Sequence, residues 1–351
     1  MGDRLLTIEE YDARERDARA KASYPAIRAF SPRAFNDVNF PARVSKEEEL
    51  RRYADIMYEL LARTPLLEHP LYSETEARAI SRLSDQIRTL TVERFGRPVR
   101  PLMCLFAPMA LLRAIETMAA MRQRRLRVYE IGPGSGYLGA YLLNAGHSYA
   151  AMEVCQALYL WQNRLMAAIA ADFSEGARFE EPPPCFAHQA THVPWWHFAR
   201  LHEGQPEPAD VVVCDAAMGE MDAFALPYVL RIARAMLATS DGGALLFQNV
   251  GEERFHSRTQ VCSMLAALGF RHRTIGGVTV ASCAGEPLPP GLSDLARLGG
   301  PSERVLAARE FLAIEESELL ESYRFFDFIG SLPPYPVDLQ AAPRRPDPAT
   351  A

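Results

Sequence analysis

The sequence lacks the features that mark several large classes of protein. Its six cysteines never form a CxxC pair, so the sequence contains neither a zinc knuckle nor a dithiol redox motif of that kind. Residues 1–20 are rich in charge and contain no apolar core of the kind that a secretory signal needs. The longest apolar stretch, residues 102–120, is interrupted by Arg113 and Glu116, so it is not expected to span a bilayer. Together these absences predict a cytoplasmic protein with reduced thiols and no membrane partner.

An excess of positive charge is also missing. The 351 residues carry a formal net charge of −6, and acidic and basic side chains are mixed along the chain. Binding to nucleic acid needs a concentrated basic face, so no nucleic-acid partner is expected. A small-molecule ligand held by a few side chains remains compatible with this composition. The length predicts one main domain with an elaboration.

The pattern of apolar and polar residues changes along the chain and predicts four regions. Residues 1–125 show helical patterns punctuated by prolines and are predicted to form an N-terminal lid or cap. Residues 126–285 alternate strand-like and helical stretches and are predicted to form the catalytic domain. Residues 286–332 are expected to be a helical extension, with one helix over 303–329. Residues 333–351, rich in proline and alanine, are predicted to be disordered.

The alternation in the central region predicts the fold class. Short apolar runs separated by amphipathic helices imply βαβ units, and therefore an α/β fold with a mostly parallel, Rossmann-like sheet and helices on both faces. The predicted strands are 127–131, 149–153, 210–214, 243–250 and 278–283. The predicted helices are 137–144, 156–171, 224–238 and 259–268, preceded in the N-terminal region by helices at 45–61, 73–95 and 109–121.

A glycine-rich turn follows the first of these strands. Gly132, Gly134 and Gly136 stand at alternate positions directly after it, and a helical pattern begins near Tyr137. A strand, a glycine turn and a helix in this order mark a nucleotide-type site at the carboxyl edge of a parallel sheet. Glycine is needed because the turn requires positive φ and because a Cβ would block the close approach of a ligand.

Two ligands compete for this turn, and a ligand-free turn is a third alternative. A dinucleotide loop reads GxGxxG, but here the slot for the third glycine holds the bulky Tyr137. Glu130 lies two residues before the first glycine, where a carboxylate would repel a pyrophosphate and attract a cation. A second acid, Glu153, ends the next predicted strand. The pattern therefore favours a cationic ligand over a dinucleotide.

The pattern E-x-G-x-G-x-G ending a first strand, with an acid ending the second, resembles class I S-adenosylmethionine-dependent methyltransferases over roughly residues 100–285. The resemblance implies a Rossmann-like methyltransferase sheet with S-adenosylmethionine as cofactor. It places Glu130 toward the methionyl ammonium and Glu153 on the ribose hydroxyls, while the acid after the fourth strand falls at Asp215. The implied cofactor-binding set is Glu130, Gly132, Gly134, Gly136, Tyr137, Glu153 and Asp215. The stretches EVCQALYLWQNRL, HVPWW and GEM also resemble a bacterial group of sugar O-methyltransferase-like proteins, although Ala216 and Ala217 stand where that group has a polar residue.

Candidate proton acceptors for a methyl transfer are few. His192 and His197 are the histidines proposed as general base, and Asp215 is the alternative. A metal site is not expected, because the region around His188 and His202 offers no acid or cysteine pair to complete a ligand set.

Other polar and aromatic residues are candidates for contact with the acceptor. Trp195 and Trp196 are adjacent, so in an extended segment one would enter the core and the other could line a pocket or face the sulfonium. Glu220 follows a predicted strand and Asn249 lies at the end of another, and both are further substrate-binding candidates, with a solvated position as the alternative for Glu220. A solvated helix face is expected for Gln162, Asn163 and Arg164.

These observations predict an S-adenosylmethionine-dependent small-molecule methyltransferase, O- or N-directed, acting in specialised metabolism such as natural product biosynthesis. One alternative is a cyclase of the azetidine-2-carboxylate synthase type, which consumes the same cofactor and releases methylthioadenosine. A second is a non-catalytic binding protein with this fold, and a nicotinamide-dependent oxidoreductase is weaker still. The sequence leaves a homodimer open.

Overall fold

The computed structural model describes residues 5–32, 42–54, 71–99, 101, 103–238, 242–251, 253–283 and 304–312. Ten strands lie within these ranges, eight of them in one sheet. They are β1 (Tyr72–Ser73), β2 (Arg127–Ile131), β3 (Ser148–Glu153), β4 (Phe173–Glu175), β5 (Ala190–Pro194), β6 (Val211–Val213), β7 (Ala244–Phe247), β8 (Phe270–Ile275), β9 (Val278–Cys283) and β10 (Val305–Leu306).

The large sheet has the spatial order β4-β5-β3-β2-β6-β7-β9-β8. Its first six strands are parallel, whereas β9 runs antiparallel to both β7 and β8. The strand order reverses at β2, since the chain leaves it in one direction to β3 and later returns to β6 on its other side. In open α/β sheets a ligand binds at such a switch point, outside the carboxyl ends of the strands.

Burial explains which segments form this sheet. Val211–Val213 and Ala244–Phe247 are apolar throughout and fully buried, as expected for central parallel strands covered on both faces. The edge strand β8 instead exposes the four residues between Phe270 and Ile275, of which two are arginines. Charge along an exposed edge discourages pairing with a second sheet.

Helices flank the sheet, as expected for an α/β fold, and this arrangement confirms the predicted fold class. They are α1 (Ile8–Lys21), α2 (Tyr24–Ala29), α3 (Glu74–Phe95), α4 (Met103–Phe106), α5 (Met109–Arg122), α6 (Tyr137–Asn144), α7 (Gln156–Ile169), α8 (Trp195–Phe198), α9 (Ala225–Leu237), α10 (Arg258–Ala267) and α11 (Ala308–Phe311).

Two N-terminal helix signals in the sequence have different outcomes. At α3, which confirms the helix predicted over 73–95, Ser73 Oγ accepts a hydrogen bond from the Glu76 amide and the Glu76 carboxylate accepts one from the Ser73 amide, so the helix begins with a capping box. The helix predicted over 45–61 is a 3₁₀ helix at Glu47–Ala54, and residues 55–61 lie outside the described ranges. Its first turn is closed by Glu49, whose carboxylate accepts from the amides of Ser45 and Lys46.

The N-terminal segment lies against the carboxyl edge of the sheet through buried polar contacts with α7 and β4. The Leu6 amide donates to Glu175, and Arg164 donates to the Leu6 carbonyl. The Val44 amide donates to the Gln156 side chain. These contacts place residues 5–54, where described, over the edge at which the glycine turn lies. The division into a lid of residues 1–125 and a catalytic domain of 126–285 remains a prediction.

The C-terminal expectations are only partly within the described ranges. Residues 304–312 form β10, which pairs antiparallel with β1, followed by the short α11. The helix predicted over 303–329 is therefore wrong at Val305–Leu306, where the chain forms a strand because it pairs with Tyr72–Ser73. The rest of the extension at 286–332 and the tail at 333–351 lie outside the described residues.

One described helical stretch, Cys104–Arg122, is long and apolar enough to cross a membrane by those two criteria. More than half of it is buried inside the molecule. Within it, Arg113 forms an ion pair with Glu76 of α3 and the Thr117 hydroxyl donates to the Arg113 carbonyl. These features fit a core helix.

Candidate active site

The glycine turn connects β2 to α6 with the geometry that the sequence predicts. Gly132, Gly134 and Gly136 have φ values of 69°, 59° and 79°. A Cβ on Gly132 would lie 3.2 Å from the Cβ of Ala217, and one on Gly136 would lie 3.1 Å from Cγ of Gln162. Glycine is therefore required here both by backbone conformation and by close packing.

Two cavities flank this turn. The first, about 730 Å³, lies between the turn, the end of β3, the start of α9 and residues 29–32. The second, about 750 Å³, lies between the turn, the start of α6, residues 104–111 and the chain after β6. Gly132, Gly134, Ala216 and Glu220 line both cavities, so the two meet above the turn.

Three carboxylates converge on the cavities from neighbouring parallel strands. Glu130 is in β2, Glu153 ends β3 and Asp215 follows β6. In the sheet register Glu130 pairs with Ala151 and Val213, which brings the three strand ends to one edge. The negative charges of Asp215 and Glu153 both raise the pKa of Glu130, so the three groups act on one another electrostatically.

Glu130 is buried at the second cavity. The Tyr149 hydroxyl donates a hydrogen bond of 2.5 Å to its Oε2. Burial, opposed by that hydrogen bond, raises the pKa of Glu130 to about 8. This carboxyl therefore changes its protonation near neutral pH, and a cation beside it would favour the ionised form.

Glu153 is buried at the first cavity and is held by its own loop. Its Oε1 accepts from the amides of Val154 and Cys155, and its Oε2 accepts from Gln162 at 3.2 Å. Gln162 also donates to the Gly134 carbonyl at 2.5 Å, so it ties the acid to the glycine turn. Burial raises the pKa of Glu153 to about 7, although these hydrogen bonds oppose the shift.

Asp215 is held in place by the chain that follows β7. Its Oδ1 accepts from the amides of Gln248 at 2.7 Å and Asn249 at 3.0 Å, and burial raises its pKa. The next residue, Ala216, has φ of 51°, an uncommon conformation for a residue with a Cβ. Strain of this kind is concentrated at functional sites, where the surrounding structure maintains it.

The electrostatics of the site favour a positively charged ligand. Among the residues that the structure describes, no arginine, lysine or histidine forms an ion pair with Glu130, Glu153 or Asp215. Buried carboxylates without a cationic partner are costly in their ionised form. A ligand that brings positive charge would remove that cost.

The two histidines predicted as general bases lie away from both cavities. His192 is in β5, where its Nδ1 lies 2.5 Å from Asn163 Oδ1 and its ring stacks on Tyr159 at 4.1 Å. Burial lowers the pKa of His192 to about 3, so it stays neutral. His197 is also buried, with a lowered pKa, and its Nε2 lies 3.1 Å from the Phe179 carbonyl. Neither position supports a role as base for a ligand in the described cavities.

The tryptophan pair also differs from its predicted arrangement. Trp195 and Trp196 are not extended but begin α8, and neither lines a cavity. Trp195 Nε1 donates to Glu15 of α1, and Trp196 packs on Tyr11 at 5.4 Å. Both tryptophan side chains therefore contact α1, and these contacts bury them.

Of the two remaining substrate candidates, the structure places only one at the cavities. Glu220 lines both cavities, whereas Asn249 is exposed and lines neither. Asn249 instead accepts a hydrogen bond from the Gly251 amide through Oδ1 and closes the turn beside Asp215. Tyr137 lines the second cavity, and its hydroxyl donates to the Ala54 carbonyl in the N-terminal segment.

Sequence reasoning missed several residues that build the site. Gln162, Asn163 and Arg164, expected on a solvated face, are all buried in α7. Leu158 and Leu165 lie four and three residues from Gln162, so their spacing indicated that Gln162 faces the core. Tyr149 and the first-cavity residue Phe30 carried no comparable signal, because their contacts with the site are long-range.

No group of His, Cys, Asp and Glu suited to hold a metal ion occurs within the described part of the chain. Three features together decide the fold. They are the order of the parallel strands, the position of the antiparallel β9 between β7 and β8, and the glycine turn at the switch point. The fold is a Rossmann-like α/β fold with a mostly parallel sheet. In this fold the edge that carries Glu130, Glu153 and Asp215 is the ligand-binding edge.

No family model matches the sequence, and no curated protein matches it. Solved methyltransferase structures do match. Magnesium protoporphyrin IX methyltransferase from Synechocystis PCC 6803, with bound S-adenosylmethionine, is 11% identical over 59% of this chain and 97% of its own, with a TM-score of 0.35. An O-methyltransferase family protein from Burkholderia thailandensis is 16% identical over 60% of this chain and 70% of its own, with a TM-score of 0.36. A glycopeptide N-methyltransferase complexed with sinefungin is 13% identical over 50% of this chain and 87% of its own, with a TM-score of 0.32.

Proposed function

We propose that this protein is an S-adenosylmethionine-dependent methyltransferase that acts on a small molecule. The observation that carries the proposal is the set of three carboxylates around a glycine-lined turn, the buried Glu130 and Glu153 and the half-buried Asp215, none of which is paired with a described cation. S-adenosylmethionine brings a sulfonium and an ammonium to such a site. Its ribose hydroxyls also match a carboxylate that can accept two hydrogen bonds.

The two cavities divide the ligand between them. Glu153 at the first cavity would accept from the ribose hydroxyls, with the adenine against apolar residues such as Phe30 and Val229. Glu130 at the second cavity would face the methionyl ammonium. The sulfur then lies where the cavities meet, above Gly132 and beside Ala216 and Glu220.

The protein's contribution to the reaction is mainly one of position and charge. A sulfonium already makes its methyl group electrophilic, so the acceptor must be held in line with the methyl carbon and the sulfur. Orientation of this kind can lower a barrier by about 7–11 kcal/mol at its upper range. The N-terminal segment over the carboxyl edge would exclude water from the reacting groups. A role in specialised metabolism and a cytoplasmic location belong to the same proposal.

Calorimetric titration of the purified protein with S-adenosylmethionine, S-adenosylhomocysteine and NAD⁺ tests the cofactor. We expect binding of the first two, and we expect the Glu153→Ala variant to weaken it by about tenfold to a hundredfold, because hydrogen bonds to a charged group are lost. Tight NAD⁺ binding without binding of S-adenosylmethionine would instead support the oxidoreductase alternative.

The product formed from S-adenosylmethionine separates the remaining reactions. S-adenosylhomocysteine identifies methyl transfer, whereas methylthioadenosine identifies the cyclase reaction. Tight cofactor binding with neither product over a broad acceptor panel would favour the non-catalytic alternative.

A further inference from the structure

The first cavity has one wall that the chain brings from near its N-terminus. Residues 23–32, which we call the strap, comprise Ser23, α2 and the three residues that follow α2. Four consecutive strap residues, 29–32, line the cavity together with Glu153 and the glycine turn. A ligand that fills this cavity would therefore contact the strap.

The chain on both sides of the strap is held by buried contacts. Before it, the Trp195 indole donates to the Glu15 carboxylate of α1 at 3.0 Å. After it, the Ala42 carbonyl accepts from the Ala157 amide at 3.2 Å. Glu15 and Ala42 are both buried. The two flanks of the strap are therefore fixed to α8 and α7.

The strap itself is joined to the rest of the molecule by few bonds. No residue of α2 is buried. Within the described part of the chain, every hydrogen bond of the strap joins two strap residues, as between the Phe30 amide and the Ala26 carbonyl. A segment with fixed flanks and few external bonds can open locally while the fold around it stays intact.

One weak ion pair connects the strap to the chain before α9. Arg28 Nε lies 3.7 Å from Asp222 Oδ2, and the guanidinium lies over the Phe224 ring at 5.8 Å from its centroid. The Arg28 side chain is 45% exposed, so the pair adds little to the stability of the fold and is sensitive to salt. These are the properties of a contact that forms and breaks as a segment moves.

Phe30 is the one buried residue of the strap. Its ring packs at 5.7 Å on both Phe198 and Tyr228, with interplanar angles of 83° and 81°. Neither of these rings lies face to face with Phe30, which also lines the first cavity. A flat base in that cavity can therefore make an aromatic contact with Phe30.

We propose that the strap opens to admit the cofactor and closes over its nucleoside, with Phe30 on the base and the Arg28–Asp222 pair as the latch. This proposal rests on the proposed methyltransferase function, because it assigns the first cavity to the adenosine. Phe30 is then a binding residue, whereas Arg28 acts through Asp222 and is a positioning residue. Release of S-adenosylhomocysteine requires the strap to open, so the latch sets the lifetime of that complex.

Limited digestion of the full chain with trypsin tests the movement. Lys21 and Arg28 are exposed before and within α2, and cleavage after them requires local opening. We expect saturating S-adenosylhomocysteine to slow cleavage at these two sites by at least about fivefold, and to leave cleavage after Arg273 on the exposed edge strand unchanged. Equal protection at all three sites, or no protection by the bound product, contradicts the strap.

Stopped-flow measurement of S-adenosylhomocysteine dissociation tests the latch. Arg28→Gln should raise the dissociation rate by about twofold to fivefold, and high salt should raise the wild-type rate but not that of the variant. Asp222→Asn, which keeps an oxygen for the Phe224 amide, should add little to Arg28→Gln because the pair is already broken. Independent effects of the two substitutions, or a wild-type rate that does not respond to salt, contradict the latch.

Phe30→Leu tests the contact with the base while it keeps an apolar side chain in the core. We expect the affinities for S-adenosylhomocysteine and methylthioadenosine to fall by the same factor of about threefold to tenfold, because both ligands carry the same adenosine. Unchanged affinity for both contradicts the assignment of Phe30.

Arg200→Gln is the control, since it removes an arginine that is paired with Glu181 and Glu203 on the surface. Wild-type affinity and dissociation rate are expected for it. A wild-type protein that does not bind S-adenosylhomocysteine would refute the methyltransferase function itself. Binding that none of the strap variants changes would refute the strap alone, so the two failures are distinguishable.

Discussion

The Tyr149 hydroxyl donates a 2.5 Å hydrogen bond to Glu130 Oε2 between the adjacent parallel strands β3 and β2. The tyrosine ring reaches this position beneath α6 because residue 139 is a glycine, where a Cβ would overlap the ring. This hydrogen bond lowers the pKa of the buried Glu130, whereas burial and the charges of Asp215 and Glu153 raise it. The hydrogen bond between Tyr149 and Glu130 therefore connects the core of the sheet to a carboxylate that we assign to cofactor binding.

Replacement of Tyr149 by phenylalanine should change the titration of Glu130 while it preserves the fold. The hydrogen bond lowers the pKa of Glu130, so its loss should move that pKa above about 8. We expect the pH midpoint of S-adenosylmethionine binding to move upward and the free energy of unfolding to fall by about 1–2 kcal/mol. Tyr129→Phe is the matched control, since the Tyr129 hydroxyl on β2 is buried and has no hydrogen-bond partner among the residues that the structure describes. Equal effects of the two substitutions would contradict the role of Tyr149.

The affinity for a cationic cofactor should depend on pH, and the ionisation of the carboxylates should set the direction of that dependence. Glu130 and Glu153 have folded-state pKa values of about 8 and about 7, above the 4.5 of an ordinary glutamate. Their contribution to the stability of the ligand-free protein is complete below about pH 4.5 and is lost as the pH rises through about 7–8.

The cofactor binds the ionised carboxylates, so its affinity should rise over the same window, by up to about tenfold per pH unit, with release of protons. Calorimetry between about pH 6 and about pH 9, in buffers with different ionisation enthalpies, measures both the affinity and the number of protons released. Glu130→Gln should flatten the profile. Affinity that is constant with pH, without proton release, would show that these carboxylates do not bind the cation.

The glycine turn should not tolerate a Cβ at Gly132. Its φ is 69° and the added atom would lie 3.2 Å from Ala217 Cβ, so Gly132→Ala should reduce stability by about 1–2 kcal/mol and weaken cofactor binding. Gly204→Ala is the control, because φ there is −135° and, apart from Gly204 and its two chain neighbours, no described residue has a heavy atom within 4 Å of the added Cβ. Thermal unfolding and cofactor titration of both variants decide the matter, and wild-type behaviour of Gly132→Ala would contradict the expectation.

At the opposite end of the sheet, Asp210 should contribute to stability alone. Its buried carboxylate is paired with Arg122 at 3.1 Å and Arg124 at 2.7 Å. Burial raises the pKa of Asp210, but hydrogen bonds from Arg124 and the Arg127 amide outweigh it, and the net pKa is lowered. The stabilisation is therefore present above the unfolded pKa of about 3.8 and is lost as the pH falls through the folded value.

Asp210→Asn should lower the free energy of unfolding by about 1–3 kcal/mol at neutral pH, a figure discounted because two of the arginines that surround it are partly exposed. Denaturant unfolding measures this change. Asp172→Asn, at an exposed pair with His188, should have almost no effect. Similar losses from the two substitutions would indicate that burial of the Asp210 pair adds nothing.

His192 should behave as a structural residue. His192→Gln is expected to destabilise the protein by about 1–3 kcal/mol, because the contact with Asn163 and the stack on Tyr159 are lost. The pH profile of kcat should remain that of the wild type. A loss of kcat with a changed profile, at unchanged stability, would restore His192 as a candidate base.

The sequence by itself determined the parallel sheet, the glycine turn and the acids that end β2 and β3. These are local features, because positive φ, strand burial and the position of an acid after a strand depend on neighbouring residues. Strands β4 and β5 escaped prediction, since β4 has three residues and β5 contains Thr191, His192 and Pro194. Their pairing is decided by contacts with β3 and α7.

Only the tertiary structure decided which polar residues reach the site. His192, Trp195 and Trp196 are candidates by residue type, but the packing of α7 against β5 and of α1 against α8 directs them into the interior. Gln162 and Tyr149 look ordinary in the sequence, yet α7 places Gln162 on Glu153 and the pairing of β3 with β2 places Tyr149 on Glu130. The physical reason is that strand ends from distant parts of the chain meet at one edge, and the neighbours they acquire there have no sequence spacing that predicts them.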